Sequence, residues 1–185
     1  MNKKRIKQKI TGPTWLTITR MVLSVIFLFF ILVPEVWARI LALIFFIIGA
    51  TTDYIDGKWA RKNKIVTNLG IFLDPLADKM LVNLAFLALV SIGVIPVFVF
   101  AIILIRDFAV DGVRMMAARN GATIPASSCG KLKTTLQMVA LVVLLIGLII
   151  DLPVLSIIGN IILYIALLLT VLSGYDYIAK NWSKV

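Results

Sequence analysis

Four aspartates stand close together between Thr52 and Lys79, beside two of the longest apolar runs of the chain. They are Asp53, Asp56, Asp74 and Asp78. A carboxylate near or inside a bilayer costs several kcal/mol unless it is paired or bound to a metal. The cluster therefore indicates a functional site, and a divalent cation is the simplest compensation for its charge.

The spacing of these aspartates is helical. If residues 51–62 continue the preceding helix, one face carries Asp53, Asp56, Gly57, Ala60 and Arg61. Asp74 and Asp78 are four residues apart and share a face of the next helix. Two such pairs facing each other across a turn suit one or two Mg²⁺ or Mn²⁺ ions, which bind carboxylates together with substrate phosphate oxygens.

The residues between the aspartates favour a phosphate-bearing substrate. Gly57 and Ala60 have almost no side chain, so a substrate can approach this helix closely, and Arg61 offers a planar fork for a phosphate. The alternative, an acidic patch on a solvated loop, predicts neither the regular spacing nor the small residues.

The complete motif resembles the signature of the CDP-alcohol phosphotransferases. It reads Asp53-x2-Asp56-Gly57-x2-Ala60-Arg61-x8-Gly70-x3-Asp74-x3-Asp78. The resemblance implies that the four aspartates hold two divalent cations, Mg²⁺ or Mn²⁺, and that Asp78 is also the general base. It further implies that the CDP moiety is bound near Gly57, Ala60, Arg61, Thr67 and Gly70.

The composition predicts an integral membrane protein. Hydrophobic residues make up 61% of the chain and charged residues only 15%, against roughly a quarter in soluble domains. The net charge of +10 is better explained by basic cytoplasmic loops than by nucleic-acid binding, because no basic and aromatic surface interrupts the apolar runs. The single cysteine, Cys129, can form neither a disulfide framework nor a metal cluster.

The apolar runs predict an all-α membrane fold with six transmembrane helices in one domain, residues 1–185. The predicted spans are Leu16 to Val33, Ala38 to Tyr54, Leu73 to Val90, Pro96 to Met116, Leu132 to Ile150 and Val154 to Tyr177, each near the ~20 residues that cross a bilayer. Residues 1–15 form a basic juxtamembrane segment before the six-helix bundle at 16–177, and residues 178–185 form a tail.

The distribution of Lys and Arg predicts the orientation. Nearly all of them fall at the two termini and in the second and fourth loops, whereas the opposite side carries only Arg39. By the positive-inside rule both termini are cytoplasmic, and so is the aspartate motif. We therefore expect a multi-pass protein of the bacterial cell membrane with its active site facing the cytoplasm.

A second group of charges interrupts the fourth span. It consists of Arg106, Asp107, Asp111 and Arg114. Charges so placed should face the bundle interior and pair with one another. One interpretation is an ion-pair network that only holds helices together. The other is that the basic groups Arg106, Arg114, Lys131 and Lys133 form a pocket for an anionic acceptor.

Further stretches are similar to the bacterial phosphatidylglycerophosphate synthases. They are Arg106 to Arg114, Gly130-Lys131-Leu132-Lys133-Thr134 and Pro13-Thr14-x-Leu16-Thr17-x2-Arg20. The resemblance implies CDP-diacylglycerol and glycerol 3-phosphate as substrates, a homodimer, and a donor site that includes Thr14, Thr17 and Arg20. The chain departs from the pattern at Thr14, where Asn is common, and at Asp107 and Asp111, where Glu and an uncharged residue are usual.

Three alternatives remain open at this point. Another acceptor, such as inositol phosphate, serine or phosphatidylglycerol, would fit the same motif. A membrane prenyltransferase also binds a diphosphate through aspartates and Mg²⁺, but nothing here repeats the aspartate motif in a second half. A cation transporter would use intramembrane carboxylates as an ion path, but it predicts two inverted halves that the sequence does not show.

Overall fold

The computed structural model describes residues 12–63, 68–121 and 128–182, and the side chains within them except those at 12–14, 16, 53–63, 68–76, 78 and 128. Throughout these ranges the backbone forms α-helices joined by short turns, with no strand. The helices are α1 (Gly12–Ile31), α2 (Val36–Asn63), α3 (Asn68–Ser91), α4 (Val97–Arg119), α5 (Ser128–Ile150) and α6 (Pro153–Asn181). Each predicted span overlaps one of them, which confirms the all-helical fold.

Among the helical residues whose side chains the structure describes, two sections are long and apolar enough to cross a membrane. They are Cys129–Ile150, with 22 residues, and Pro153–Asn181, with 29 residues. Shorter apolar sections lie at Thr17–Ile31, Val36–Thr52 and Lys79–Ser91. These sections are consistent with a membrane protein, while spanning by all six helices remains a prediction.

Glycine and proline mark the ends of several helices. Gly93 and Gly121 follow α3 and α4 with φ of 76° and 79°, a left-handed conformation that glycine adopts without steric cost. Pro96 is the N-cap of α4, and Pro153 begins α6, where the missing N–H is not needed.

The chain divides into two compact units, Met1–Ala85 and Phe86–Val185, with the boundary inside α3. In the first unit α1 packs against α2. The packed face of α1 repeats every three or four residues and is fully buried: Thr17, Arg20, Ser24, Phe27 and Ile31. Phe27 meets Phe46 of α2 with ring centroids 5.6 Å apart.

In the second unit α6 packs against both α4 and α5. Gly159 of α6 lies so close to Leu144 of α5 that an added Cβ would be 2.7 Å from its Cγ. Leu141, Leu145 and Leu163 are completely buried in the same unit. Close packing of this kind supplies dispersion contacts that hold membrane helices together where the hydrophobic effect between them is weak.

Candidate active site

The aspartate motif is carried by two helices. Helix α2 runs without a break from Val36 to Asn63, so Asp53 and Asp56 lie in one continuous helix. The helical continuation that the shared face requires is therefore present. Asp74 and Asp78 both lie within α3. The backbone thus supports the helical spacing of both aspartate pairs.

A close contact brings these two helices together next to the motif. Gly49 of α2 is buried, and an added Cβ there would lie 3.0 Å from Leu81 Cδ2 of α3. Asp53 follows Gly49 by four residues, and Asp78 precedes Leu81 by three. Residues at these spacings share a helix face. The contacting faces of α2 and α3 thus carry the positions of Asp53 and Asp78 within about one helical turn of the contact.

The other two aspartates fall on the same two faces. Asp56 lies seven residues after Gly49, and Asp74 lies seven residues before Leu81, which is about two helical turns in each case. Carboxylate oxygens are the donors that Mg²⁺ and Mn²⁺ prefer. The arrangement of the backbone is therefore compatible with a divalent-cation site.

Arg20 and Thr17 of α1 lie near the same end of the first unit. The rings of Phe27 and Phe46 are in contact. Arg20 precedes Phe27 by seven residues on α1, and Asp53 follows Phe46 by seven residues on α2. Because α1 and α2 are joined by a four-residue turn and run in opposite directions, Arg20 and Asp53 are at about the same level. Thr17 and Arg20 are 1% and 2% exposed. A buried guanidinium therefore stands at the level of the predicted acidic site.

Most of the predicted donor-site and metal-site side chains lie outside the described part of the structure. Thr67 lies outside the described residues. The helices carry the backbones of the rest, but their side chains are outside the description: Thr14, Asp53, Asp56, Gly57, Ala60, Arg61, Gly70, Asp74 and Asp78. Among the side chains that are described, no three acidic or thiol groups come together as a metal site would require. The metal ligands remain predictions.

Two members of the second group of charges, Arg106 and Asp107, form a partly buried ion-pair cluster with Lys133. Asp107 Oδ1 accepts hydrogen bonds from Arg106 Nη1 of the same helix at 3.1 Å and from Lys133 Nζ of α5 at 2.5 Å. We call these three side chains the Asp107 cluster; their exposed fractions are 13%, 15% and 5% for Arg106, Asp107 and Lys133. The prediction that the charges of α4 face inward and pair is confirmed for Arg106 and Asp107. Two cations and one carboxylate leave a formal charge of +1.

Helix α6 fixes the Arg106 side of this cluster. Arg106 Nε donates to the Thr170 carbonyl oxygen at 3.2 Å, and Nη2 donates to Ser173 Oγ at 3.1 Å. Gln137, one turn after Lys133 on α5, donates from Nε2 to Thr170 Oγ1 at 3.2 Å. The result is a hydrogen-bond network that links α4, α5 and α6. Hydrogen bonds of this kind offset the cost of burying charge.

The sequence analysis did not predict that Gln137, Thr170 and Ser173 belong to this hydrogen-bond network. The available signal was the interruption of the apolar run of α6 by Thr170, Ser173 and Gly174. Small and polar residues at this spacing are typical of close contacts between membrane helices. The sequence does not show which helix approaches them.

Arg114 and Lys131 occupy different surroundings. Both are exposed. The guanidinium carbon of Arg114 lies 5.9 Å from the ring centroid of Tyr177 on α6, within the range of a cation–π interaction. The Tyr177 ring is buried against Val110 and Val113, and no hydrogen-bond partner for its hydroxyl is found among the described residues. Of the four predicted acceptor groups, two thus belong to the Asp107 cluster and two lie at exposed positions.

The Asp107 cluster has the chemical properties of an anion site. An ammonium has three donors and a guanidinium five, so both cations retain donors beyond those already engaged. The surplus positive charge is largely withdrawn from water, which strengthens its attraction for a phosphate relative to an exposed charge.

Comparison with known proteins points to a single protein family. The model of the CDP-alcohol phosphatidyltransferase family matches residues 10–172. A protein of Bacillus subtilis (strain 168) named CDP-diacylglycerol–glycerol-3-phosphate 3-phosphatidyltransferase is 38% identical over 94% of this chain and 96% of its own. A protein of the same name from Rickettsia prowazekii is 40% identical over 89% of this chain and 92% of its own. A Mycobacterium tuberculosis protein named probable phosphatidylglycerophosphate synthase is 38% identical over 77% of this chain and 66% of its own.

Proposed function

Because the chain belongs to the CDP-alcohol phosphatidyltransferase family, we propose that it transfers the phosphatidyl group of CDP-diacylglycerol to sn-glycerol 3-phosphate. The products are phosphatidylglycerophosphate and CMP. The observation that carries the proposal is the similarity, over 94% of this chain, to a relative named for this reaction. Family membership also argues against the prenyltransferase and transporter alternatives.

The donor site belongs to the aspartate motif of the first unit. Asp53, Asp56, Asp74 and Asp78 would hold two divalent cations, Mg²⁺ or Mn²⁺, which would neutralise the pyrophosphate and the departing CMP. Support comes from the positions of the four aspartates on the contacting faces of α2 and α3. The remaining donor-site residues bind CDP-diacylglycerol: Thr14, Thr17, Arg20, Gly57, Ala60, Arg61, Thr67 and Gly70. The burial of Thr17 and Arg20 supports their inclusion.

The reaction is a single displacement. Asp78 accepts the proton of the C1 hydroxyl of glycerol 3-phosphate as that oxygen attacks the β-phosphorus of CDP-diacylglycerol. A bond forms between the C1 oxygen and the β-phosphorus, and the bond from the β-phosphorus to the oxygen bridging the two phosphates breaks. CMP leaves with that oxygen. Positioning and charge stabilisation supply most of the acceleration, as in other phosphoryl transfers.

The acceptor phosphate is bound by Arg106, Arg114, Lys131 and Lys133. The strongest support is the surplus positive charge of the partly buried Asp107 cluster, which contains Arg106 and Lys133. Arg114 and Lys131 add exposed cations that attract an anionic acceptor from water. An acceptor without a phosphate, such as serine, would leave this charge uncompensated.

The membrane arrangement is part of the same proposal. All six helices span the bilayer of a bacterial cell as a single domain, residues 1–185, with both termini and the active site on the cytoplasmic side. The lipid tails of the donor stay in the bilayer while glycerol 3-phosphate arrives from the cytoplasm. The protein acts as a homodimer.

The test is to identify the lipid that the purified protein forms. CDP-diacylglycerol is offered with glycerol 3-phosphate, inositol phosphate, serine or phosphatidylglycerol, and the products are identified by mass spectrometry together with released CMP. We expect phosphatidylglycerophosphate with the first acceptor only. A different lipid would replace the acceptor assignment, and absence of CMP release with every acceptor would refute the donor assignment.

A further inference from the structure

Gly174 of α6 lies directly against the side chain of Arg106. An added Cβ at Gly174 would be 2.7 Å from Arg106 Cγ, 3.1 Å from Nε and 3.4 Å from Cδ. Carbon atoms in contact prefer separations of about 3.5 to 4.0 Å. Any side chain at position 174 would therefore push the stem of Arg106 away from α6 by roughly 1 Å.

Such a displacement would break the hydrogen bonds that hold the guanidinium. They measure 3.2 Å to the Thr170 carbonyl oxygen and 3.1 Å to Ser173 Oγ, at the upper end of the normal range of about 2.7 to 3.2 Å. Arg106 is also bonded to Asp107, which accepts the hydrogen bond of Lys133. A shift of Arg106 would thus change the position of both cations of the Asp107 cluster.

From this geometry we infer that Gly174 is a positioning residue for acceptor binding. By lacking a side chain, it allows Arg106 to lie flat on α6, and Arg106 in turn holds Asp107 and Lys133 in the arrangement that receives the acceptor phosphate. The inference rests on the proposed function, in which Arg106 and Lys133 bind that phosphate. Gly174 itself touches no substrate.

Two other glycines provide matched controls. Gly159 lies on the same helix, and an added Cβ would be 2.7 Å from Leu144 Cγ and Cδ2, so alanine there disturbs apolar packing to a similar degree. Gly112 of α4 has no other atom within 4 Å of an added Cβ, so alanine there should be tolerated. Together, the two control variants distinguish a loss of helix packing from a displacement of the cations in the Asp107 cluster.

The experiment compares Gly174→Ala, Gly159→Ala and Gly112→Ala with the wild-type protein in mixed micelles. We measure the melting temperature and the kcat and KM for each substrate. Gly174→Ala should lower kcat/KM for glycerol 3-phosphate about 10- to 100-fold, chiefly through KM, since a misplacement of about 1 Å can cost this much. Its KM for CDP-diacylglycerol should stay within about twofold of wild type. Gly159→Ala should lower the melting temperature and leave the KM for glycerol 3-phosphate unchanged, and Gly112→Ala should behave as wild type.

A double-mutant cycle tests whether the effect passes through Arg106. In an Arg106→Lys background, which has no guanidinium fork, adding Gly174→Ala should change the KM for glycerol 3-phosphate less than about threefold. If Gly174→Ala does not fold, Ser173→Ala removes one of the same hydrogen bonds without adding bulk. It should raise that KM in the same direction by a smaller factor.

The outcomes distinguish this inference from the proposed function. If the wild-type protein forms no phosphatidylglycerophosphate, the proposed function fails and the inference with it. If the wild-type protein is active and folded Gly174→Ala keeps the wild-type KM for glycerol 3-phosphate, only the positioning role is overturned. It is also overturned if Gly174→Ala costs the same factor in the Arg106→Lys background, or if folded Ser173→Ala leaves the KM unchanged.

Discussion

Replacing Lys133 by Met separates acceptor binding from helix packing. Lys133 is buried, and its ammonium group donates to Asp107. Met keeps an unbranched stem of similar length and removes the charge. The formal charge of the Asp107 cluster falls from +1 to 0. Asp107 still accepts a hydrogen bond from Arg106 Nη1 at 3.1 Å, so its carboxylate is not left without a partner.

The expected loss follows from the contact that the acceptor phosphate would make with the ammonium group. A hydrogen bond to a charged group contributes about 1.5 to 3 kcal/mol, and about 1.4 kcal/mol is tenfold. The kcat/KM for glycerol 3-phosphate should therefore fall roughly 10- to 100-fold, with the KM for CDP-diacylglycerol nearly unchanged. Stability should fall by less than the about 3 to 5 kcal/mol expected when a buried charge loses its only partner, because Arg106 remains and the cost of burying Lys133 disappears.

The assay measures initial rates of CMP release while each substrate is varied in turn, together with the melting temperature. Lys180→Met is the matched control, since Lys180 is exposed and pairs with Asp176 at 2.8 Å one turn away. Exposed pairs of this spacing contribute about 0.3 to 0.5 kcal/mol, so this variant should keep both KM values. A folded Lys133→Met protein with wild-type kinetics for glycerol 3-phosphate would refute the reasoning. A large loss of stability with an equal fall for both substrates would instead identify the cluster as a structural ion pair.

Three further predictions concern the metal, the base and the topology. Excess EDTA should abolish activity and Mg²⁺ or Mn²⁺ should restore it, whereas Asp53→Ala should stay inactive at moderately raised metal; full activity in EDTA would contradict the metal site. Asp78→Asn should lower kcat by about 100-fold or more while CDP-diacylglycerol still binds, and retention of more than roughly a tenth of wild-type kcat would remove Asp78 from the role of base. Cys129 is exposed near the start of α5, and the positive-inside rule puts that end in the cytoplasm. A membrane-impermeant maleimide should therefore not label Cys129 in intact cells, and should label it once the membrane is permeabilised. A Glu35→Cys protein in a Cys129→Ser background should be labelled from outside, and the reverse pattern would invert the predicted orientation.

The positions of the helices could be predicted from the sequence because apolar runs of sufficient length have few alternatives to a helix in lipid. The helix ends were less well defined. The predicted second span stops at Tyr54, whereas α2 continues to Asn63. An apolar run marks the hydrocarbon-facing section, but backbone hydrogen bonding carries a helix beyond it into polar sequence.

The candidate site was predictable where its residues are close in sequence. The spacing of Asp53 and Asp56 needs only a continuous helix, and the structure shows one. The partners of Arg106 on α6, in contrast, lie 64 and 67 residues away along the chain. Helical periodicity shows which residues share a face and does not show which helix that face meets.

The same limit applies to Asp107 and Gly174. The sequence indicated that Asp107 would be buried and paired, but its second cation comes from α5, a different helix. Gly174 stands in an apolar helix and has no sequence feature that separates it from a glycine in an ordinary helix contact. Its importance follows from a single distance, the 2.7 Å between an added Cβ and Arg106 Cγ.

The proposed transfer is tested most directly by measuring CMP and phosphatidylglycerophosphate in the same reaction of the purified protein. With CDP-diacylglycerol and labelled glycerol 3-phosphate, we expect one CMP for each labelled lipid formed, and almost no CMP when glycerol 3-phosphate is left out. CMP released at the same rate without glycerol 3-phosphate, or without any labelled lipid, would contradict the transfer and indicate hydrolysis of the donor instead.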